Sequence, residues 1–411
     1  MKNIETRVAA SESTGTITAQ GASGFGVLPN VSLVTPAQPA TRLRLKQLDV
    51  LRAVAVLLVL CSHVPSFAWL QRCGWIGVDL FFVLSGFLVS GLLYSEYKTR
   101  GSLSPKRFLI RRGLKIYPAF YTFVILSVVL MLLTKMKIPI DLLLAEILFV
   151  QNYYGGLWGH TWSLCIEEHF YLLLTAGLYL LWRSRNRNGT PFDSIPKMTL
   201  AVAAVLVAAR ALTYVLVVPY NFQYHFKPTH LRIDSLLFGV YLAYFHHFHR
   251  DRLTRFVSRN RLWLLLFSAA AIAPAVFLPV EGAFISIIGF TLLYLGFGSV
   301  LLLALYSGNA GPSALRYAAN GLGSILARVG AYSYSIYLWH LVVASLGLTL
   351  IRRAYSHTYT TLLHGTPPQP LHPLVEFAAY VVASVAVGIA MAKLVEMPVL
   401  RLRDRYFPGR S

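Results

Sequence analysis

The chain has 411 residues, 56% of them hydrophobic and 13% charged, with a mean hydropathy of +0.58, values that a soluble globular domain of this length does not normally reach. A formal net charge of +21 would suit a nucleic-acid partner, but the basic residues stand in short clusters between apolar runs, so they read as membrane-topology signals and no nucleic acid is expected. The three cysteines, Cys61, Cys73 and Cys165, have no metal-ligand spacing, which argues against a disulfide framework and against a metal site.

Residues 1–41 are rich in Ser, Thr, Ala, Gly and Pro and hold no apolar run long enough for a signal peptide. They read as a disordered cytoplasmic tail, and the first span as uncleaved. Residues 42–400 then form one membrane domain, all-α and polytopic. Apolar stretches long enough to cross a bilayer fall at 48–68, 76–95, 116–134, 163–182, 199–218, 231–247, 262–280, 283–305, 326–350 and 375–397, about ten transmembrane helices. The stretch 141–151 is apolar but short, and the Gly-rich, aromatic run from Tyr153 to Trp162 follows it. Together they suit a re-entrant or interfacial element better than a span. Residues 401–411 read as a basic cytoplasmic tail.

Lys and Arg are retained on the cytoplasmic side, and here they mark alternate loops. Arg42, Arg44 and Lys46 precede the first span; a cluster from Lys98 to Lys115 follows the second; Arg183, Arg185, Arg187 and Lys197 follow the fourth. The series continues with five arginines between Arg250 and Arg261, with Arg316 and Arg328, and with Arg401, Arg403, Arg405 and Arg410. Both termini are therefore expected to be cytoplasmic. No internal repeat stands out, which weakens an inverted-repeat transporter.

A charge at bilayer depth costs roughly 2.5–3.5 kcal/mol or more, so ionisable residues within spans are candidates for function. Arg52 and His63 lie eleven positions apart; on an ideal helix that returns to within about 20° of the same face, about 16 Å along the axis. Either they form a functional stripe, or Arg52 snorkels and His63 packs in the core. Asp79, Glu167, Glu168, Arg232 and Asp234 begin spans and are expected towards the outer side. His340 ends a hydroxyl-rich stretch, Ser333 to His340, that either lines a wet cavity or packs helices. Arg111, Arg112 and Lys115 lie inside, just before the third span, as a topology signal or as a grip for phosphates. An inner anion site and an outer histidine with carboxylates make a donor-to-acceptor geometry. A neutral histidine can take a proton from a sugar hydroxyl attacking a thioester, with an arginine for the developing oxyanion. The same residue types also serve a proton-coupled transporter or flippase of a sugar-lipid that performs no chemistry, so both readings stay open at this point.

At these residues the chain resembles the acyltransferase 3 family of membrane O-acyltransferases, over roughly residues 45–400. Arg52 and His63 match an Arg-x10-His element, and Gly77 to Leu88 resembles a Gly-Val-Asp-Leu-Phe-Phe-Val-Leu-Ser-Gly-Phe segment. Arg112 to Pro118 is similar to an Arg-x-x-Arg-Ile-x-Pro loop, with Lys115 in place of the second arginine. Trp162, Ser163 and Leu164 with Glu167, Glu168, Phe170 and Tyr171 resemble a Trp-Ser-Leu-x-x-Glu-Glu-x-Phe-Tyr block, in which His169 stands where Gln is frequent; Thr175, further along, stands where Pro is frequent. Ser333 to His340 resembles a Ser-Tyr-x-x-Tyr-Leu-x-His signature, and Glu396 with Pro398 a terminal Glu-x-Pro.

The resemblance implies an acyl-CoA co-substrate, usually acetyl-CoA, and transfer to a glycan or lipid-linked sugar at or across a bacterial inner membrane, with membrane lipids as surroundings and no metal. It implies His63 as the catalytic residue with Arg52 as its partner, and Arg111, Arg112 and Lys115 in donor handling. Asp79, Glu167 and Glu168 are expected to fix the histidine tautomer or the sugar. Trp162, Ser163, Arg232, Asp234, Tyr337 and His340 are the candidates for substrate binding. With no further domain after Glu396, a stand-alone member is expected.

Overall fold

The computed structural model describes residues 46–63, 68–184, 190–306, 313–362 and 372–408. The tail expected over residues 1–41 lies outside the described residues. Among the described residues every regular element is helical. Helices of ten or more residues are α1 (Lys46–Cys61), α2 (Ile76–Arg100), α3 (Pro105–Leu133), α4 (Trp162–Arg183), α5 (Ile195–Leu216), α6 (Thr229–Phe248), α7 (Arg250–Arg259), α8 (Arg261–Phe277), α9 (Phe290–Tyr306), α10 (Ser313–Ala331), α11 (Ser333–Val342), α12 (Leu348–Leu362), α13 (Pro373–Met391) and α14 (Met397–Tyr406).

Seven helical stretches are long and apolar enough to cross a membrane, and an eighth if α7 and α8, bent by 82°, count as one span. The protein is thus a polytopic helical membrane protein. The first and sixth of the ten expected spans are helices as well, but of different character. α1 has 16 residues, about 24 Å at 1.5 Å per residue, and α6 carries the buried charges Arg232 and Asp234. Residues 401–406, expected in a tail, continue α14 as helix.

Local chemistry sets the helix ends near the site. α2 stops at Gly101, whose φ of +65° is left-handed and whose N–H bonds Tyr97 O at 2.7 Å, a glycine cap that no β-carbon hinders. α3 starts with Pro105 in its first turn, where a missing N–H costs nothing. Pro118, inside α3, withholds the N–H that the carbonyl four residues back would accept.

α2 is the centre of the bundle: 72% of its apolar window is buried, against 17% for α5 at the rim. Small residues let its neighbours approach. Gly86 of α2 and Gly239 of α6 face each other, and a β-carbon on Gly86 would lie 1.9 Å from Leu236 O. Such close contact gains dispersion that larger residues would forbid. Gly77 does the same against Ala55 O of α1, so α1, α2 and α6 are locked at fixed register around the polar residues described next.

Candidate active site

A cleft of about 860 Å³, counting its open mouth, lies among α1, α2, α3, α4 and α11. Arg52, Arg112, Lys115, Glu167 and Glu168 all line it, with Tyr171, Tyr334 and Tyr337 among its aromatic walls. Sequence reasoning put the basic residues inside and the carboxylates outside; the helices instead bring all five to one cleft. Among the described residues, neither Arg112 nor Lys115 forms an ion pair. The Arg112 guanidinium stands 5.6 Å from the Phe108 ring and 5.9 Å from the Tyr171 ring, so aromatic faces hold it while its hydrogen-bonding fork stays available.

The two glutamates are held by hydroxyls. Glu167 accepts from Ser85 Oγ at 2.8 Å and from Tyr171 OH at 2.7 Å. Glu168 accepts from Tyr117 OH at 2.9 Å, and its Oε1 is buried with no partner among the described residues. Arg111 turns away from the cleft, donating to Asp404 at 3.1 Å and to Phe407 O of the C-terminal segment. That contact accounts for its sequence position beside Arg112 without any part in the cleft.

Beyond Tyr337 stands a cluster of histidines. α1 ends at Cys61, so the ideal-helix stripe from Arg52 stops there. His63 sits in the following turn, closed by its N–H on Leu60 O at 3.2 Å. Its Nδ1 donates to Val59 O at 2.9 Å and stands 2.9 Å from Ser62 Oγ. The His63 ring meets His340 edge-to-face with centroids 4.8 Å apart, and His340 meets His160 likewise at 4.8 Å. Tyr337 joins this cluster to the cleft. Its ring lies 5.5 Å from His340, its hydroxyl donates to His160 O at 2.7 Å, and Ser163 Oγ is 2.7 Å from the same hydroxyl.

His160 was not singled out from the sequence. It belongs to the segment read as re-entrant or interfacial, which folds against a buried carboxylate. Glu146 is 0% exposed and accepts the Leu157 N–H at 3.1 Å. A β-carbon on Gly156 would lie 2.3 Å from its Oε2 and 2.8 Å from Gln151 Cβ, so a larger residue there would displace both side chains, while Gln151 Nε2 donates to Thr161 O at 3.2 Å. The available signal was an ionisable pair, Glu146 and His160, flanking a Gly-rich run.

Asp79, Arg232 and Asp234 are placed elsewhere. Both Asp79 oxygens accept from Arg232 Nη2 at 2.8 Å, and both residues are 0% exposed. Arg232 is further enclosed by the Phe290 and Phe226 rings, at 3.9 and 4.5 Å, and by Trp162 at 5.6 Å. Asp234 pairs with Arg210 at 3.0 Å. Two cations and two anions thus neutralise one another between α2, α5 and α6, and no hydrogen bond joins Asp79 to His63. Trp162 packs on this cluster, edge-on to Phe82 at 6.2 Å and to Phe226 at 5.1 Å. Its neighbour Ser163, one position on, faces the cleft.

Glu396, the acid of the terminal motif, ends a π-helical turn over Ala392–Glu396 and accepts from Ser335 Oγ at 2.9 Å. It ties α11 to the C-terminal helices.

A family model described as "Acyltransferase domain" matches residues 45–393. The chain is similar to the peptidoglycan O-acetyltransferase OatA of Listeria monocytogenes, 28% identical over an alignment of 350 positions that covers 77% of this chain and 52% of that protein. It is also similar to the O-acetyltransferase OatA of Staphylococcus aureus, 28% identical over 71% of this chain and 49% of that protein. The chain spans about half the length of these curated relatives. No solved structure matches it.

Proposed function

The chain belongs to the acyltransferase domain family, and from that premise we propose that it is a membrane O-acyltransferase, moving an acetyl group from acetyl-CoA to a hydroxyl of a surface polysaccharide, oligosaccharide or lipid-linked sugar. The observation that carries this reading is the junction at Tyr337 between a cleft with two cations lacking an ion pair, Arg112 and Lys115, and the His63 cluster. The relatives, named as O-acetyltransferases, support a glycan as acceptor. Ten spans, supported by hydropathy, cytoplasmic termini, supported by the distribution of Lys and Arg, and a bacterial inner membrane, supported by the bacterial relatives, complete the proposal.

Arg112 and Lys115 suit the phosphates or the polarised carbonyl of a thioester donor, because cations that no carboxylate engages directly keep their hydrogen-bond donors for an anion. Arg52, in the same cleft, balances charge as the tetrahedral oxyanion forms. His63 takes the acceptor's hydroxyl proton on Nε2. Its Nδ1 faces a carbonyl, which can only accept, so Nδ1 carries the ring hydrogen of the neutral imidazole and Nε2 is the basic nitrogen. The oxygen of the acceptor then bonds to the acyl carbon, the carbon–sulfur bond breaks, and His63 returns the proton to the leaving thiolate. Glu167 and Glu168, held by tyrosine hydroxyls, are offered to acceptor hydroxyls or to the donor's amides.

The test is transfer of labelled acetyl from acetyl-CoA to N-acetylglucosamine oligomers by the full chain in lipid nanodiscs. Labelled ester that depends on both donor and acceptor is expected. Absence of ester with every glycan supplied, while the protein drives sugar-lipid movement without acetyl-CoA, would overturn the reading.

A further inference from the structure

Three imidazoles converge where the mechanism uses one. His340 is 0% exposed and His160 3%, and their hydrogen bonds fix their tautomers. A ring nitrogen that faces a backbone carbonyl must carry the hydrogen, since the carbonyl has none to give. His340 Nδ1 donates to Tyr337 O, and His160 Nε2 donates to Leu338 O at 3.1 Å. His63 Nδ1 donates to Val59 O. Each neutral ring has a single N–H, so His63 Nε2, His340 Nε2 and His160 Nδ1 are left as bare lone pairs. Those of His340 and His160 are buried with no hydrogen-bond partner among the described residues.

Three lone pairs in one place suggest a metal site, but among the described residues no three His, Cys, Asp or Glu are arranged to hold one. Such a cluster is suited to receiving a proton.

We propose that His340 and His160 are positioning residues for His63, fixing its ring by edge-to-face contact and stabilising the proton that it takes from the acceptor hydroxyl. The proposal rests on the reading of His63 as the base. During transfer the hydroxyl oxygen bonds to the acyl carbon and the carbon–sulfur bond of the donor breaks. The hydroxyl proton resides on His63 Nε2 until the thiolate reclaims it. While it resides there, the His63 imidazolium meets the neutral His340 ring, whose π-electrons attract it. His160 backs His340 by a second edge-to-face contact, and the Tyr337 hydroxyl on His160 O holds the third ring in register with the cleft wall. No proton needs to leave the cluster, so the step balances with donor and acceptor alone.

The experiment uses the full chain in lipid nanodiscs with ¹⁵N-labelled histidine. Solid-state NMR should show bare nitrogen at Nε2 of His63 and His340 and at Nδ1 of His160, assigned through single variants. His340→Asn keeps an N–H for Tyr337 O, and His160→Gln keeps one for Leu338 O; both remove the aromatic ring and its basic nitrogen. Each should shift the His63 ring signal. Each should also lower kcat for acetyl transfer from acetyl-CoA to chitotetraose by about ten-fold or more, a share of the 10²–10⁴ typical of a general base, with KM for acetyl-CoA unchanged. Opposite tautomers, a His63 signal indifferent to both variants, or an unchanged kcat would overturn the proposal. If the wild type transfers nothing, it is the proposed function that fails, and the His63 signal alone then decides the cluster.

Discussion

Asp79 offers the sharpest separation of structural from chemical roles, since it lies in a motif shared with the family and yet is paired with Arg232 and not with His63. Both its oxygens are 2.8 Å from Arg232 Nη2 at full burial. At an effective dielectric of about 20, two unit charges at that distance attract by about 6 kcal/mol. Desolvation offsets much of this, and removal of one partner from a buried pair typically costs about 3–5 kcal/mol because the other charge is stranded. Asp79→Ala should therefore destabilise the protein by about that amount, two to four powers of ten in the folded fraction. The aromatic enclosure of Arg232 leaves it no water to turn to. The double change Asp79→Leu with Arg232→Met removes both charges and should recover most of the loss, together with acetyl transfer per folded molecule. Thermal and denaturant unfolding in nanodiscs, paired with the transfer assay, measures both. A single Asp79→Asn variant that keeps its stability but loses turnover would refute the structural role and return Asp79 to the chemistry.

Arg112→Ala should raise KM for acetyl-CoA about 10- to 100-fold, since a hydrogen bond to a charged group is worth about 1.5–3 kcal/mol. Arg112→Lys should restore part of that, because it keeps the charge and loses the fork; steady-state kinetics at equal protein abundance reads both. Tyr337→Phe removes a donor to His160 O and the contact with Ser163, and should cost about 1 kcal/mol of stability while lowering kcat more than it raises KM. Gly86→Ala would press a β-carbon onto Leu236 O, and the resulting overpacking should destabilise the α2–α6 contact by about 1–3 kcal/mol, visible as a lower melting temperature with unchanged KM in the surviving folded protein.

Much of this was legible in the chain. Hydropathy located the helices, because a bilayer demands long apolar runs, and eight of the ten expected spans correspond to apolar helical stretches once the bent α7 and α8 are joined. α1 and α6 read as spans too, but their length and buried charge set them apart, and a window average does not register that Arg232 and Asp234 are each neutralised from another helix. Depth was the weaker inference. Counting residues from helix ends put Glu167 and Glu168 far from Arg112, yet all three line one cleft, because a linear count ignores how far long side chains reach between neighbouring helices. His160 escaped notice because its segment lacks helical period, and its role depends on a fold held by Glu146 and Gly156. Arg111 and Arg112 are indistinguishable in sequence, and only packing against α14 sends one to Asp404 and leaves the other in the cleft.

The central claim is that His63 moves an acyl group onto a sugar. Its most direct test compares ester-linked acyl groups on surface polysaccharide and lipid-linked glycans, by mass spectrometry, in cells lacking the protein, restored with wild type, and restored with His63→Ala at equal membrane abundance. The expected result is an acyl ester present with wild type and missing from the other two. An ester restored equally by His63→Ala, or no glycan that differs among the three, would contradict it.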